Sequence, residues 1–294
     1  MELWLQAAVN GILMGGVYGL ISVGLSLVFG VMKVINFAHG SFLMVGMFAS
    51  YWLTVLTGLD PYLGLVVVVP FCFIFAYFIQ DIVIKPIFKV ERGVREPIAV
   101  VLLTVGLWLV LDNIALLCFG ADYRTLKTPY SKLSFQLGDL LINGPRLFAF
   151  AGMVLVSFSL YVFLKRTTIG KAIRATGQDR DAAGLMGVNV YQIYNVAFAI
   201  GVGITGLIGA LLTPFFYVFP SVGFSFGLRA FIVVVLGGLG SIPGALIGGL
   251  VIGIIESVGA QVMNATWTAV INYAIFLLVL FFKPEGLLGL KEDW

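Results

Sequence analysis

The sequence predicts an all-α, polytopic membrane protein with eight to nine transmembrane helices, including broken or re-entrant segments. Apolar residues occupy 61% of the 294 positions, whereas charged residues occupy 11%. Soluble globular chains carry about 25% charged residues, so this composition argues against a water-soluble fold. A spanning helix needs about 20 mostly apolar residues, so the predicted spans leave little chain for anything else. We therefore expect a single transmembrane domain over residues 1–294.

Nine apolar stretches are candidates for these spans. The seventh is short, and the glycines and proline that follow it break the helix before the eighth. Such interruptions in membrane proteins mark half-helices or re-entrant turns that line a cavity, so the sequence leaves open whether 228–262 spans twice. The stretches are residues 7–29, 36–57, 62–84, 97–118, 146–164, 190–213, 228–239, 243–262 and 267–282. The breaking residues are Gly237, Gly238, Gly240, Pro243 and Gly244.

The basic residues predict that the N-terminus lies outside and the C-terminus inside. In this orientation twelve of the 17 basic residues fall on the cytoplasmic side, in Lys33, the 85–96 loop, the 165–189 loop and the tail. Four fall outside, and Arg229 falls within a span. Short cytoplasmic loops of membrane proteins carry an excess of Lys and Arg, and nine crossings require the same placement of the two ends.

The external segment 119–145 is the longest polar stretch on the predicted outer side. It contains Tyr123, Pro129, Tyr130 and Asn143 and has no helical apolar period. It is expected to form either a short ordered cap that could include a β-hairpin, or a solvated loop.

Glycines spaced four residues apart predict close packing between helices. Gly11 and Gly15 form such a pair near the N-terminus, and Gly249 and Gly253 form another near the C-terminus. This spacing places the glycines on one helix face, where two backbones can approach each other. It identifies no substrate.

Three charged residues lie within apolar stretches, namely Asp112, Arg229 and Glu256. A charge at mid-bilayer costs about 2.5–3.5 kcal/mol even on insertion scales, so each is expected to have a partner. Arg229 lies before the glycine-rich break and Glu256 lies a similar distance after it, so antiparallel helices would bring them to one depth. We predict a structural Arg229–Glu256 ion pair in the outer third of the membrane rather than a substrate-binding charge.

The segment 34–42 is the most polar interruption in the N-terminal half of the chain. Asn36 can cap the helix that follows, and Gly40 permits a close backbone approach. His39 is the only histidine in the sequence, and a lone histidine is usually a packing residue. Polar groups at a helix break can also line a transport pathway, so Asn36, His39 and Ser41 are candidate pathway residues.

The segment 165–189 predicts short helices with small apolar faces, charged flanks and interrupting glycines. One interpretation is an amphipathic helix that lies on the membrane surface. The other is a docking element whose small residues let a short helix enter a groove on a soluble partner.

The sequence offers no set of residues for an enzyme or for ATP hydrolysis. The chain has one histidine, so a Ser-His-Asp triad or a two-histidine metal site would need most of its parts from elsewhere. No catalytic residue and no metal site are therefore predicted. The segment 201–206 matches a dinucleotide-binding pattern, but it lies within a span and no strand precedes it. A phosphate-binding loop is also missing from the sequence, so the ATP and magnesium of any pump would be bound by another chain.

Four segments together resemble the permease subunits of ATP-binding-cassette importers for branched-chain amino acids, of the LivH type. They are Ile35–Gly40, the Gly170–Val188 loop, Val235–Ala245 and the terminal Phe282–Gly289. The resemblance extends along nearly the whole chain.

The resemblance implies a bacterial inner-membrane protein that transports a small polar solute by alternating access. The implied partners are a second, LivM-like permease, two cytoplasmic ATPase subunits and a periplasmic substrate-binding protein. The 167–189 loop would then be the coupling helix seated on an ATPase. The external cap and the 214–226 loop would face the binding protein. The coupling residues implied are Lys171, Arg174, Asp179, Arg180, Ala183, Leu185 and Met186.

One position departs from the family motif and leaves the substrate open. Many members carry an acidic residue directly after His-Gly, whereas here that residue is Ser41. Branched-chain amino acids are the leading substrates, with urea, amides or aromatic carboxylates as alternatives. A stand-alone channel or facilitator is the alternative from a different class.

Overall fold

The computed structural model describes residues 2–90, 98–131, 133–138 and 140–289 and consists mainly of helices. Seven helices in these ranges are long and apolar enough to cross a membrane, and α10 and α12 are shorter apolar helices. The predicted polytopic all-α class is confirmed. The helices are α1 (Glu2–Met32), α2 (His39–Thr57), α3 (Pro61–Ile79), α4 (Lys85–Val90), α5 (Ile98–Phe119), α6 (Gly144–Arg166), α7 (Thr168–Gln178), α8 (Arg180–Leu185), α9 (Val190–Leu212), α10 (Val222–Gly237), α11 (Ile242–Val262) and α12 (Ala265–Phe282).

α1 and α9 form the centre of the bundle, and both are largely buried along their apolar windows. α1 packs against α6, α9, α10 and α11, and α9 packs against α2 and α3. α3 and α4 are joined by a π-helical turn, Gln80–Ile84, and make one continuous helical segment. Much of the outer surface of α3, α5, α6 and α12 consists of exposed apolar side chains, which suits helices that face lipid.

The predicted glycine pairs form the contact between α1 and α11. A Cβ atom on Gly15 would lie 2.7 Å from the carbonyl oxygen of Gly249, and one on Gly11 would lie 2.8 Å from that of Gly253. No side chain fits at these positions, so the two backbones touch directly. Close packing of this kind replaces the hydrophobic driving force that is missing between helices in lipid.

The segment predicted as an external cap contains a β-hairpin. β1 (Ser134–Leu137) pairs antiparallel with β2 (Leu140–Asn143), with Ser134 opposite Asn143. The Gln6 side chain bonds the backbone of Leu141 through both its oxygen and its nitrogen. Backbone hydrogen bonds of 3.0 and 2.8 Å also join Arg124 to Val218. These contacts place the hairpin, the start of α1 and the 213–221 loop at one end of the molecule, here called the cap end.

The opposite end brings together α7, the C-terminal end of α1 and the glycine-rich break. A Cβ atom on Gly177 would lie 2.7 Å from the carbonyl oxygen of Gly30. A Cβ atom on Gly240 would lie 3.2 Å from the Cα atom of Gly30. This end carries the segment predicted to couple to an ATPase and is called the coupling end below.

Two boundaries differ from the sequence-based expectation. α10 begins at Val222 rather than near residue 228, so the predicted 214–226 loop is shorter. Asn36 does not cap α2, because its Oδ1 accepts a hydrogen bond from Ala38 N at 3.1 Å, and the helix begins one residue later. Part of the predicted basic loop, residues 91–97, lies outside the described residues.

The break between α10 and α11 occurs where the glycines predict it. α10 has 16 residues, which corresponds to about 24 Å at 1.5 Å per residue, whereas the hydrocarbon core is about 30 Å thick. Gly238 and Gly240 have φ angles of 106° and 83°, which residues with a side chain adopt only with backbone strain. Ser241 then caps α11, since its Oγ accepts a hydrogen bond from Gly244 N at 3.2 Å.

Candidate transport pathway and coupling region

The turn between α1 and α2 contains the three candidate pathway residues. Lys33 has a φ angle of 55°, and the chain leaves α1 there. Asn36, His39 and Ser41 are all buried and line a cavity of about 70 Å³ together with Trp108 of α5 and Phe224 of α10. A cavity needs roughly 10–15 Å³ to hold one water, so this one admits a few waters. The three side chains therefore border one space between α2, α5 and α10.

His39 also contributes to the packing of the bundle. Its Nε2 lies 3.0 Å from the carbonyl oxygen of Ile21 in α1 and 2.8 Å from Thr205 Oγ1 in α9. The carbonyl oxygen can only accept, so Nε2 carries the proton. Thr205 Oγ1 donates to the carbonyl oxygen of Gly201 at 2.9 Å and thus accepts from His39. His39 links three helices through one N–H group.

Ser41 lies beside a carboxylate that comes from another helix. Ser41 Oγ donates to Asp112 Oδ1 at 2.7 Å, and Trp108 Nε1 donates to Asp112 Oδ2 at 2.7 Å. Asp112 is one of the three intramembrane charges in the sequence, and these two bonds give each of its oxygens a donor. Sequence reasoning missed this contact. Only the spacing of Trp108 and Asp112, four residues apart on α5, indicates that those two side chains meet.

Arg229 and Glu256 lie in contact across α10 and α11. Arg229 Nη2 is 2.9 Å from Glu256 Oε1, and Arg229 Nε is 3.2 and 3.3 Å from the two carboxylate oxygens. Arg229 Nη1 donates to the carbonyl oxygen of Ser225 at 3.2 Å. The guanidinium carbon lies 5.6 Å from the centre of the Tyr18 ring, within the range of a cation–π contact.

The predicted coupling segment folds as two capped helices, α7 and α8. Thr167 Oγ1 accepts from Gly170 N at 2.9 Å, and Asp179 Oδ1 accepts from Asp181 N and Ala182 N at 2.9 and 3.0 Å. Between these caps, one apolar residue of each helix packs against the bundle. Ala183 is buried, and so is Ile173, which the prediction left out.

The remaining predicted coupling residues lie on or near the surface of this segment. Leu185 is 89% exposed and Met186 is 85% exposed, although both are large and apolar. Lys171 and Arg174 are exposed, but Arg174 Nε donates to the carbonyl oxygen of Leu164 at 3.1 Å and so ties α7 to α6. Arg180 is partly buried and lies 3.8 Å from Asp181.

The glycine-rich break is held by the segment that follows α12. Leu287 N donates to the carbonyl oxygen of Leu236 at 2.8 Å, and Leu288 N donates to that of Gly237 at 3.0 Å. These bonds satisfy carbonyl groups at the end of α10 that have no partner within the helix. A Cβ atom on Gly237 would overlap the backbone of Gly244. Pro243 occupies the first turn of α11, where its missing N–H costs nothing.

The comparisons with known proteins agree with this architecture. Residues 7–280 match the family model described as the branched-chain amino acid transport system permease component. The chain is 32% identical to the high-affinity branched-chain amino acid transport system permease protein BraD of Pseudomonas aeruginosa, with 98% of this chain and 97% of that protein covered. It is 30% identical to the permease protein LivH of Escherichia coli strain K12, with 98% and 96% covered. The chain thus belongs to the branched-chain amino acid transport permease family.

Proposed function

We propose that this chain is one transmembrane subunit of an ATP-driven importer that carries branched-chain amino acids into the cytoplasm by alternating access. Its partners are a second related permease, two ATPase subunits that bind ATP and magnesium, and an external substrate-binding protein. Residues 1–294 form a single transmembrane domain in a bacterial inner membrane, with the cap end outside. The family and the relatives support the solute class.

The observation that supports coupling best is the exposed apolar tip of α8. Leu185 is the last residue of α8 and Met186 is its C-cap, and both side chains are exposed at the end of the molecule opposite the hairpin. Fully burying a Leu or Met side chain is worth about 1.5–3 kcal/mol, so a partner groove that covers both is strongly favoured. A short helix with apolar anchors is a common way to dock into a groove on another protein.

The contacts of α7 offer a route from this tip into the membrane. Gly177 touches Gly30 at the end of α1, and Gly30 touches Gly240 in the break between α10 and α11. α1 in turn contacts α11 through Gly11, Gly15, Gly249 and Gly253, here called the glycine seam. Movement of the coupling end by the ATPases would thus reach the helices that carry Ser41, Arg229 and Glu256. On this account Asn36, His39 and Ser41 lie beside the pathway, and the Arg229–Glu256 pair stabilises the bundle.

The test is leucine uptake into proteoliposomes that contain the permease pair, the ATPases and the binding protein. We expect uptake only when ATP and the binding protein are both present. The matched control is the same complex with the phosphate-binding lysine of the ATPases substituted. Leucine flux through the chain without nucleotide would favour the facilitator alternative and contradict the proposal.

A double substitution separates docking from folding. Leu185→Asp with Met186→Asp adds charge to two exposed positions, so we expect normal insertion into the membrane and at least a tenfold loss of binding-protein-stimulated ATP turnover. Charge reversal at Arg174 is a weaker test, because its bond to Leu164 also holds α7. Unchanged stimulation in the double variant would contradict the coupling role.

A further inference from the structure

A second, larger cavity lies beside the Arg229–Glu256 pair. It measures about 280 Å³ and lies between α10, α11 and α12. The side chains of Arg229 and Glu256 are 33% and 26% exposed, so neither is sealed within the bundle. One water needs roughly 10–15 Å³, so the cavity has room for a small organic solute.

Arg229 keeps hydrogen-bond donors that the protein does not use. A guanidinium group has five N–H donors. Nε and Nη2 each donate one N–H to Glu256, and Nη1 donates one to Ser225. Two N–H groups remain without an acceptor in the described part of the chain, and the side chain that carries them lines the cavity. A carboxylate is the group that an arginine fork binds best.

Asn272 of α12 provides an independent indication of a ligand. Its side chain lines the same cavity, is 5% exposed, and its Oδ1 has no hydrogen-bond partner within the described residues. A buried amide oxygen without a donor costs about 1–3 kcal/mol. Glu256 Oε2 accepts a long bond of 3.3 Å from Arg229 Nε, and the Glu256 carboxylate also accepts a hydrogen bond from the Tyr18 hydroxyl. Both oxygens could accept hydrogen bonds from a ligand ammonium group.

We propose that this cavity binds the zwitterionic head of an aliphatic α-amino acid during transport. The two spare N–H groups of Arg229 bind its carboxylate, and Asn272 Oδ1 and Glu256 Oε2 accept from its ammonium group. The aliphatic side chain lies against Phe224, Leu228 and Ile232, which line the cavity. This inference rests on the proposed function and names the place where the solute is held in the membrane. It keeps the structural role of the Arg229–Glu256 pair and replaces the expectation that the pair binds no substrate.

Charge favours a zwitterion over an ion at this position. The Arg229–Glu256 pair is neutral as a whole, so a ligand with a net charge would leave an unbalanced charge in the membrane. A zwitterion places one charge beside each partner and leaves the ion pair itself intact. Phe224 and Leu228 also line the smaller cavity beside Ser41 and Trp108, so the two spaces adjoin. An amino acid released from the larger cavity would therefore next contact the candidate pathway residues.

The experiment is cysteine protection in the assembled transporter. Ala260 of α11 lines the cavity and is exposed, so Ala260→Cys on a Cys118→Ser background gives one reactive thiol, while Cys72 is buried. Methyl methanethiosulfonate is the neutral probe, and the competitors are leucine, isoamylamine and 4-methylpentanoate. At a concentration ten times its Kd, leucine should slow labelling about tenfold, as expected for simple competition. The two analogues, each of which lacks one charged group, should protect far less.

Two further variants make the result decisive. Asn272→Leu removes the amide oxygen and keeps the size, so labelling of Ala260→Cys should persist while leucine protection falls. Leu56→Cys at the exposed end of α2 is the matched control and should label at the same rate with and without leucine. Protection at both cysteines alike would contradict a local site.

ATP-driven leucine import is measured on the same complex, so that the amino-acid site and the proposed function are tested separately. If ATP-driven leucine import is normal and leucine does not protect Ala260→Cys, the site is wrong and the proposed function stands. If leucine is not imported but another zwitterionic amino acid protects, the site stands and the substrate assignment is wrong. Equal protection by isoamylamine or 4-methylpentanoate would also overturn the site.

Discussion

The ion pair between Arg229 and Glu256 lowers the free-energy cost of placing either charge in the membrane. An unpaired charge at mid-bilayer costs about 2.5–3.5 kcal/mol on insertion scales, whereas the pair shares three hydrogen bonds of 2.9–3.3 Å. Both side chains are partly exposed to the adjacent cavity, which lowers that cost. Folding of the bundle is nevertheless expected to depend on opposite charges at positions 229 and 256.

We expect Arg229→Glu and Glu256→Arg to reduce the yield of folded protein when made singly and to restore it when combined. Each single variant places two like charges at hydrogen-bond distance, and the double variant rebuilds the pair with its ends exchanged. The measurement is the monodisperse fraction in detergent by fluorescence-detected gel filtration. Transport is not the readout, because the same residues line the proposed amino-acid site. A double variant no better than the singles would contradict a structural pair.

Ser41 and Asp112 form a polar contact between two helices next to the helix break. The position after His-Gly is serine here, yet the Asp112 carboxylate lies 2.7 Å from Ser41 Oγ. An acidic side chain thus lies next to the helix break, although the residue after His-Gly in this chain is neutral. The acidic side chain belongs to α5, whereas Ser41 belongs to α2.

We predict that Ser41→Asp lowers the thermal midpoint because it sets a second carboxylate against Asp112. Adding Asp112→Ser should recover most of the loss, since one carboxylate and one hydroxyl are present again. Ser41→Ala is the milder control, which leaves one oxygen of Asp112 without its Ser41 donor at a cost of about 1–3 kcal/mol. Equal midpoints for Ser41→Asp and Ser41→Ala would show that the two side chains do not interact.

The contact between α1 and α11 depends on glycine along both helices. A Cβ atom on Gly249 would lie 2.7 Å from the carbonyl oxygen of Gly15 and would also overlap the backbone of Gly19. Backbone atoms cannot move aside as a flexible side chain can, so even one methyl group forces the helices apart.

We therefore expect Gly249→Ala to reduce folded protein severely. Gly106→Ala is the matched control, because no atom lies within 4 Å of a Cβ at that position of α5. Exchange of glycine for alanine within a helix otherwise favours folding by about 1 kcal/mol. The two variants should thus differ in sign when thermal stability is measured side by side. A Gly249→Ala variant as stable as Gly106→Ala would contradict direct backbone contact between α1 and α11.

The sequence predicts elements that depend on local pattern and misses contacts that depend on tertiary structure. Apolar runs located the spans because lipid requires a long apolar surface, and glycine spacing located the α1–α11 seam. Counting outward from the glycine-rich break placed Arg229 and Glu256 at one depth. Nothing local indicates that Ser41 meets Asp112, since those residues lie 71 positions apart. The tie of Arg174 to Leu164 and the inward face of Ala183 were likewise not predicted.

The whole bundle connects two ends with different chemistry. The cap end is tied by backbone and side-chain hydrogen bonds among the hairpin, α1 and the 213–221 loop. The coupling end is packed through Gly30, Gly177 and Gly240 and carries the exposed apolar tip of α8. α1 runs from one end to the other and contacts α10, which borders both cavities, and α11, which borders the larger one. If α7 couples to an ATPase as proposed, we expect a push on α7 to change the space between α10, α11 and α12.

Coupling to an ATPase requires the α8 tip to lie inside the cell, where the ATPase can bind it. The most direct measurement is the labelling of Met186→Cys, on a Cys118→Ser background, by a membrane-impermeant maleimide in intact cells and after the membrane is opened. We expect no labelling in intact cells, and labelling in opened membranes that falls when the ATPase subunits are present. Rapid labelling of Met186→Cys in intact cells would place the tip outside the cell, where no ATPase could bind it, and would rule out the coupling role.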